Sequence, residues 1–131
     1  MFLRKFIKSI NPYANSMQKK ALGDICSEED FRRILELERE RVERNRHIFS
    51  LLVLDTKVIN GNNDAIGNTT KKIICRMRKI DQIGWYDSER IGILLPYTPF
   101  QGACELAESI CNSLGVPMLE SACKVYVYPT E

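Results

Sequence analysis

Apolar and polar positions follow two different periods along this chain, and the switches between them mark out its elements. Phe31, Ile34, Leu35 and Val42 recur at helical spacing, with Glu38 on the same face, which predicts a helix over residues 27–46. Ser27 is an N-cap residue type. Glu28, Glu29 and Asp30 place negative charge on the first turn, and Asp30 stands near the position of a capping-box acid. Glu29/Arg33 and Glu40/Arg44 stand four apart on the face left to solvent. Residues 48–55 (IFSLLVLD) then form a near-continuous apolar run closed by an acid, the pattern of a strand covered on both faces.

Beyond it, residues 60–68 are rich in Gly and Asn and predict a loop. Thr69 or Thr70 can cap a following helix that turns Ile73, Ile74, Met77 and Ile80 inward. Strands over 82–86 and 90–95 flank the polar turn Asp87-Ser88-Glu89, and alternation turns one of Trp85 and Tyr86 inward. Pro96 and Pro99 interrupt the chain before a helix over 101–114, whose Ala103, Leu106, Ala107, Ile110, Cys111 and Leu114 share a face and which Gly115 ends. Residues 124–128 (KVYVY) are a last strand. After the leading helix the order is β-α-β-β-α-β, that of ferredoxin-like split βαβ units, so the fold class is α/β (α+β), a sheet covered by helices.

The first ten residues, MFLRKFIKSI, set Phe2, Leu3, Phe6, Ile7 and Ile10 at helical spacing among Arg4, Lys5 and Lys8, and Asn11-Pro12 ends that pattern. Residues 1–20 form a basic amphipathic segment with a local charge of +5, ahead of a domain spanning 21–131. Three roles stay open for the segment: peripheral membrane contact, a homodimer arm, or packing on the domain's own core. It lacks the long apolar stretch and cleavage site of a secretory signal. Over the 131 residues the net charge is only +2, which argues against a general nucleic-acid binder. Five cysteines without a C-x-x-C pair and a single histidine, His47, support neither a zinc site nor a disulfide framework. Reduced thiols packed like small apolar residues in a cytoplasmic protein are expected instead, Cys104 and Cys111 on one helix face, with His47 at the surface. Nucleophile-elbow, P-loop, dinucleotide and H-E-x-x-H motifs are absent from the sequence.

One stretch is more specific. In Arg78-Lys79-Ile80-Asp81, five further residues, Asp87-Ser88-Glu89-Arg90-Ile91 and then Gly92-Ile93-Leu94-Leu95-Pro96, the chain resembles the signature region of GGDEF domains, the bacterial diguanylate cyclases. Gly102-Ala103 through Leu106-Ala107-Glu108 is similar to the family's following helix, and Phe31 and Leu35 before FSLLVLD to its leading helix and first strand. The resemblance covers roughly residues 20 to 128.

Departures from the family pattern shape the functional expectation. Asp87 and Ser88 replace the two glycines that permit positive φ and close approach of a nucleotide, and Asp87 adds negative charge where a triphosphate would lie. The resemblance implies two metal carboxylates, at the positions of Asp55 and Glu89, so Mg²⁺ is conceivable as a cofactor only if that pair is functional. The fourth signature position, normally acidic, is Arg90, and Asn60 is the one candidate remnant of the guanine-contacting segment. Arg78 and Asp81 match the family's product-binding motif, which implies cyclic di-GMP as a ligand, with Arg76 and Lys79 adding positive charge beside it. The expectation is therefore a catalytically inactive signalling domain with no catalytic residues. It acts as a cyclic di-GMP receptor or an adaptor for another protein; the alternative is a scaffold that binds no nucleotide.

Overall fold

In the computed structural model, which describes residues 25–59, 63–116 and 122–129, the chain folds as α1 (Glu28–Asn45), β1 (Phe49–Asp55), α2 (Asn63–Ile74), β2 (Gln82–Trp85), β3 (Arg90–Pro96), α3 (Phe100–Leu114) and β4 (Cys123–Tyr128). The basic segment over 1–20 and Asn60 lie outside the described residues. The sheet order is β2-β3-β1-β4 with every neighbouring pair antiparallel, so each helical crossover skips one strand, as the split βαβ pattern requires.

α1 begins where the sequence says it should. Ser27 Oγ accepts from the Asp30 N–H at 3.1 Å, and Arg46, left-handed at φ 59°, closes the helix by donating to the Val42 carbonyl at 2.8 Å. Of the two charge pairs spaced four apart, Glu29–Arg33 forms at 3.4 Å, while no ion pair joins Glu40 and Arg44.

β1 is buried on both faces, and its alternation splits the core in two. Leu52 and Leu54 join Ile83, Ile91 and Ile93 under α2 and α3, which contribute Ile73, Ala103, Ala107 and Ile110. Phe49, Leu51 and Val53 face the other way, with Phe31 and Val42 of α1. Phe31 is the tightest contact of that second layer. Its ring lies over Gly84 and Gly92, which face each other across β2 and β3. A Cβ on Gly84 would stand 2.6 Å from the ring and 2.8 Å from Cys26 Cβ, and one on Gly92 would stand 2.6 Å from the ring. Cys26 extends this join by bridging to β2 as a short parallel addition, with Trp85 N–H donating to its carbonyl at 2.9 Å.

Four expectations are corrected. α2 starts at Asn63, inside the stretch read as loop, because Asn and Asp also suit a first helical turn and a helix tolerates Gly67 at a cost of about 1 kcal/mol. Thr69 and Thr70 are thus buried helix residues rather than caps, and Thr70 Oγ1 donates to the Gly67 carbonyl at 2.9 Å. Ile80 is about half exposed (49%), because the chain leaves helical geometry at Cys75 and loses the periodicity that would turn this side chain inward. His47 is half-buried, its ring 4.2 Å from that of Tyr97, which is itself held at φ 58°. The cysteines are all free, but only Cys26, Cys111 and Cys123 are buried; Cys104 is half-buried and Cys75 exposed. Burial, with Cys111 and Cys104 nearby, pushes the Cys123 thiol up to about 12.

Trp85 and Tyr86 do follow the alternation: both are half-buried, Trp85 against the α2/α3 layer and Tyr86 against the α1 layer. No helix among the described residues is long and apolar enough to cross a membrane.

The ring-on-glycine contact predicts a specific coupling. Gly92→Ala should lower unfolding stability by about 1–3 kcal/mol through overpacking. In a Phe31→Ala background, which removes the obstacle, the same substitution should cost much less. Urea denaturation of the two single variants and the double variant measures this coupling.

Candidate functional site

Antiparallel pairing sets Asp55 opposite Arg90, so the turn between β2 and β3 lands beside the end of β1. The contact is continued by backbone: Thr56 N–H donates to the Glu89 carbonyl at 3.0 Å, and Thr56 Oγ1 donates to the same oxygen at 2.7 Å. The structure therefore brings Asp55 and Glu89 to one end of the sheet, as their sequence positions imply.

The charges at this end are satisfied by one another. Asp87 Oδ1 accepts from the Glu89 N–H at 2.9 Å, and Asp87 Oδ2 accepts from Arg90 Nε at 2.8 Å. The Arg90 guanidinium also lies over the Tyr86 ring, 5.1 Å from its centre. Hydrogen bonding from Arg90, then from the Glu89 backbone, holds the Asp87 carboxyl below its ordinary value. Lys57 Nζ lies 3.2 Å from Glu89 Oε1, while the Lys57 backbone N–H donates to Asp55 Oδ1 at 2.9 Å. The bond to Glu89, its charge and that of Asp55 push the Lys57 ammonium above its ordinary value.

A Mg²⁺ ion held by Asp55 and Glu89 would have to displace contacts that these acids already make. A lysine ammonium already lies on Glu89, and an oxygen of Asp55 already accepts a backbone bond. No group of three or more His, Cys, Asp or Glu among the described residues could hold a metal.

Arg78 and Asp81 lie at the opposite end of the sheet, roughly 20 Å away by the length of a seven-residue strand. Asp81 is 1% exposed. Its carboxylate accepts from the Arg78 N–H at 2.8 Å, from Arg78 Nη2 at 2.8 Å and from Arg78 Nε at 3.2 Å. Nη2 also donates to the Pro96 carbonyl at 2.9 Å and to Thr98 Oγ1 at 2.7 Å. The pair is thus brought together, but as a clamp that ties the turn before β2 to the turn after β3. Half of the Arg78 side chain stays exposed. Arg76 is occupied elsewhere: its Nε donates to Ser109 Oγ of α3 at 3.0 Å, and its Nη1 donates to the Lys72 carbonyl at 3.1 Å. Lys79 is exposed.

Two residues of these sites were missed by sequence reasoning. Lys57, two residues past the strand-ending Asp55, was readable as a charge in reach of any group at that end. Thr98 sits between Pro96 and Pro99 in a turn that looks purely connective. The structure also holds an open cleft of about 350 Å³ between the first turn of α1 and the hairpin, lined by Phe31, Leu35, Trp85 and Tyr86 with Glu28, Arg32 and Asp87.

The fold has close counterparts among solved structures. A diguanylate cyclase protein from Thermotoga maritima superposes with a TM-score of 0.66 at 20% identity, over 83% of this chain and 86% of that one. The GGDEF domain of DgcB from Caulobacter crescentus, solved in complex with c-di-GMP, gives 0.59 at 16% identity over 81% and 70%. The diguanylate cyclase SiaD from Pseudomonas aeruginosa, solved in complex with its activator SiaC, gives 0.55 at 20% identity; 95% of this chain is covered, spanning 58% of that one. No protein-family model and no curated protein matches the chain. The domain has the GGDEF nucleotide-cyclase fold, of the α+β class.

Two outcomes follow from the charge pairs. Arg78→Ala strands the buried Asp81 carboxylate and should cost about 2–3 kcal/mol in urea unfolding, less than a fully buried pair because the guanidinium is half exposed. The Asp87–Arg90 pairing rests on a carboxyl held low, so it persists above the unfolded value near 4 and is lost as pH falls through the lowered folded value. Trp85 fluorescence should accordingly stay constant from about pH 8 to 5 and change only below about 4.

Proposed function

We propose that this GGDEF-fold domain is a non-catalytic signalling module that acts as an adaptor, presenting its surface to another protein. The observation that carries this reading is the hairpin at the end of β1. Its signature-position side chains are spent internally, Asp87 on Arg90 and on its own backbone, and Glu89 on Lys57. Catalysis on a nucleoside triphosphate needs donors and cations aimed at the phosphates. Here the two glycines that would let phosphates approach the backbone are Asp87 and Ser88, and the carboxylate on Asp87 would repel them. The complex of SiaD with its activator SiaC supports the adaptor side, because a protein carrying this fold there engages a protein partner.

A second reading, a cyclic di-GMP receptor at Arg78 and Asp81, has its own supporting observation: half of the Arg78 side chain faces solvent. The c-di-GMP complex of DgcB is consistent with it. Against it stands Asp81, whose carboxylate is buried and committed to Arg78, so a guanine edge would first have to break the clamp.

The test is calorimetric titration of the full chain with cyclic di-GMP, run beside a turnover assay with GTP and Mg²⁺. The adaptor reading expects neither heat nor product. Micromolar binding of cyclic di-GMP would replace it with the receptor reading, and product from GTP would overturn the non-catalytic assignment. Because substituting Arg78 or Asp81 threatens the fold, the exposed Lys79→Ala is the better variant for mapping any binding that appears.

A further inference from the structure

We infer that Lys57 is a built-in replacement for a divalent cation, its ammonium holding the hairpin to the end of β1 where a metal ion would otherwise bridge two carboxylates. The inference deepens the non-catalytic reading by giving its cause, and rests on it only in that respect.

Three observations converge on Lys57. Its backbone N–H is on Asp55 Oδ1 at 2.9 Å and its Nζ is on Glu89 Oε1 at 3.2 Å, so one residue engages both acids. The acids come from different elements, β1 and the hairpin, and Thr56 joins the same two elements through the Glu89 carbonyl. Finally, the pair alone would hold a metal only weakly. Two carboxylates without a third protein ligand leave most of a cation's shell to water or substrate phosphate. A tethered ammonium loses little by comparison: it needs only one good acceptor, it is already local, and it is present at every metal concentration.

Electrostatics gives the consequence. With Lys57 in place, the two acids and the lysine carry one net negative charge; without it they carry two, and an arriving dication no longer meets an ammonium. The side chains are exposed, at 70% for Lys57 and 61% for Glu89, so solvent screens the pair and the gain on removing it should be moderate. A change of about two- to fivefold is expected.

Mn²⁺ alone is the probe, titrated into the nucleotide-free full chain and followed by loss of the free-ion electron paramagnetic resonance signal. The wild-type protein should bind weakly, Lys57→Ala about two- to fivefold more tightly, and Lys57→Ala/Glu89→Gln should return to the wild-type level. Lys57→Met, which keeps the apolar stem, should match Lys57→Ala. Melting temperature in the presence of Mn²⁺ should follow the same order, rising more for Lys57→Ala than for the wild type. Equal affinity in wild type and Lys57→Ala, or a gain that survives Glu89→Gln, overturns the inference. GTP turnover by the wild type would instead remove the non-catalytic reading, and since the Mn²⁺ titration contains no nucleotide, the two failures are distinguishable.

Discussion

The seating of one aromatic ring on two glycines fixes the geometry of everything near the hairpin. Phe31 is 1% exposed and lies over Gly84 and Gly92, where any side chain on either strand would collide with it. That contact sets the height of α1 above the sheet and draws Cys26 in beside β2. The open cleft between helix and hairpin adjoins the same seating, for Phe31, Trp85 and Tyr86 all line it. Because the contact is a shape match rather than a hydrogen bond, it has no softer substitute. A smaller residue at 31 leaves a void, and a larger one at 84 or 92 has nowhere to go.

Chemistry-bearing side chains then sort to the two ends of the sheet. At one end Asp55, Glu89, Lys57, Asp87 and Arg90 form exposed or half-exposed pairs on turns, held by few constraints. At the other, Arg78 and Asp81 are knitted into the fold through the Pro96 carbonyl and Thr98. The first cluster is cheap to rearrange, since exposed pairs contribute about 0–1 kcal/mol each. The second is not, because it answers a buried carboxylate. This contrast is why the two candidate sites, which look equivalent as motifs, carry different physical meaning.

Much of this was legible in the sequence, and the exceptions have physical causes. The Ser27 cap, the apolar face of α1, the doubly buried β1 and the Gly115 stop were written in local spacing, which is where periodicity is strongest. The start of α2 was not, because Asn, Asp and Gly serve turns and first helical turns alike. Ile80 was misplaced because a helical phase was carried past the point where the chain left the helix. At the sites, strand register brings Asp55 and Glu89 to one end of the sheet, and only the resemblance had placed these two acids together. Lys57 and Thr98 were missed for a different reason. Their roles depend on which backbone turn delivers a flexible side chain to a partner 32 or 20 positions away, and no period encodes that.

The separation of the two ends has a consequence for substitutions. Folding stability resides mostly in the ring-on-glycine seat, the two-sided core and the Arg78 clamp, and of these the core reaches the Asp55–Glu89 end through Tyr86. Substitutions there cost the fold little, so that end can change while the scaffold persists. In a domain built this way, what one end of the sheet can bind and how well the chain folds vary independently.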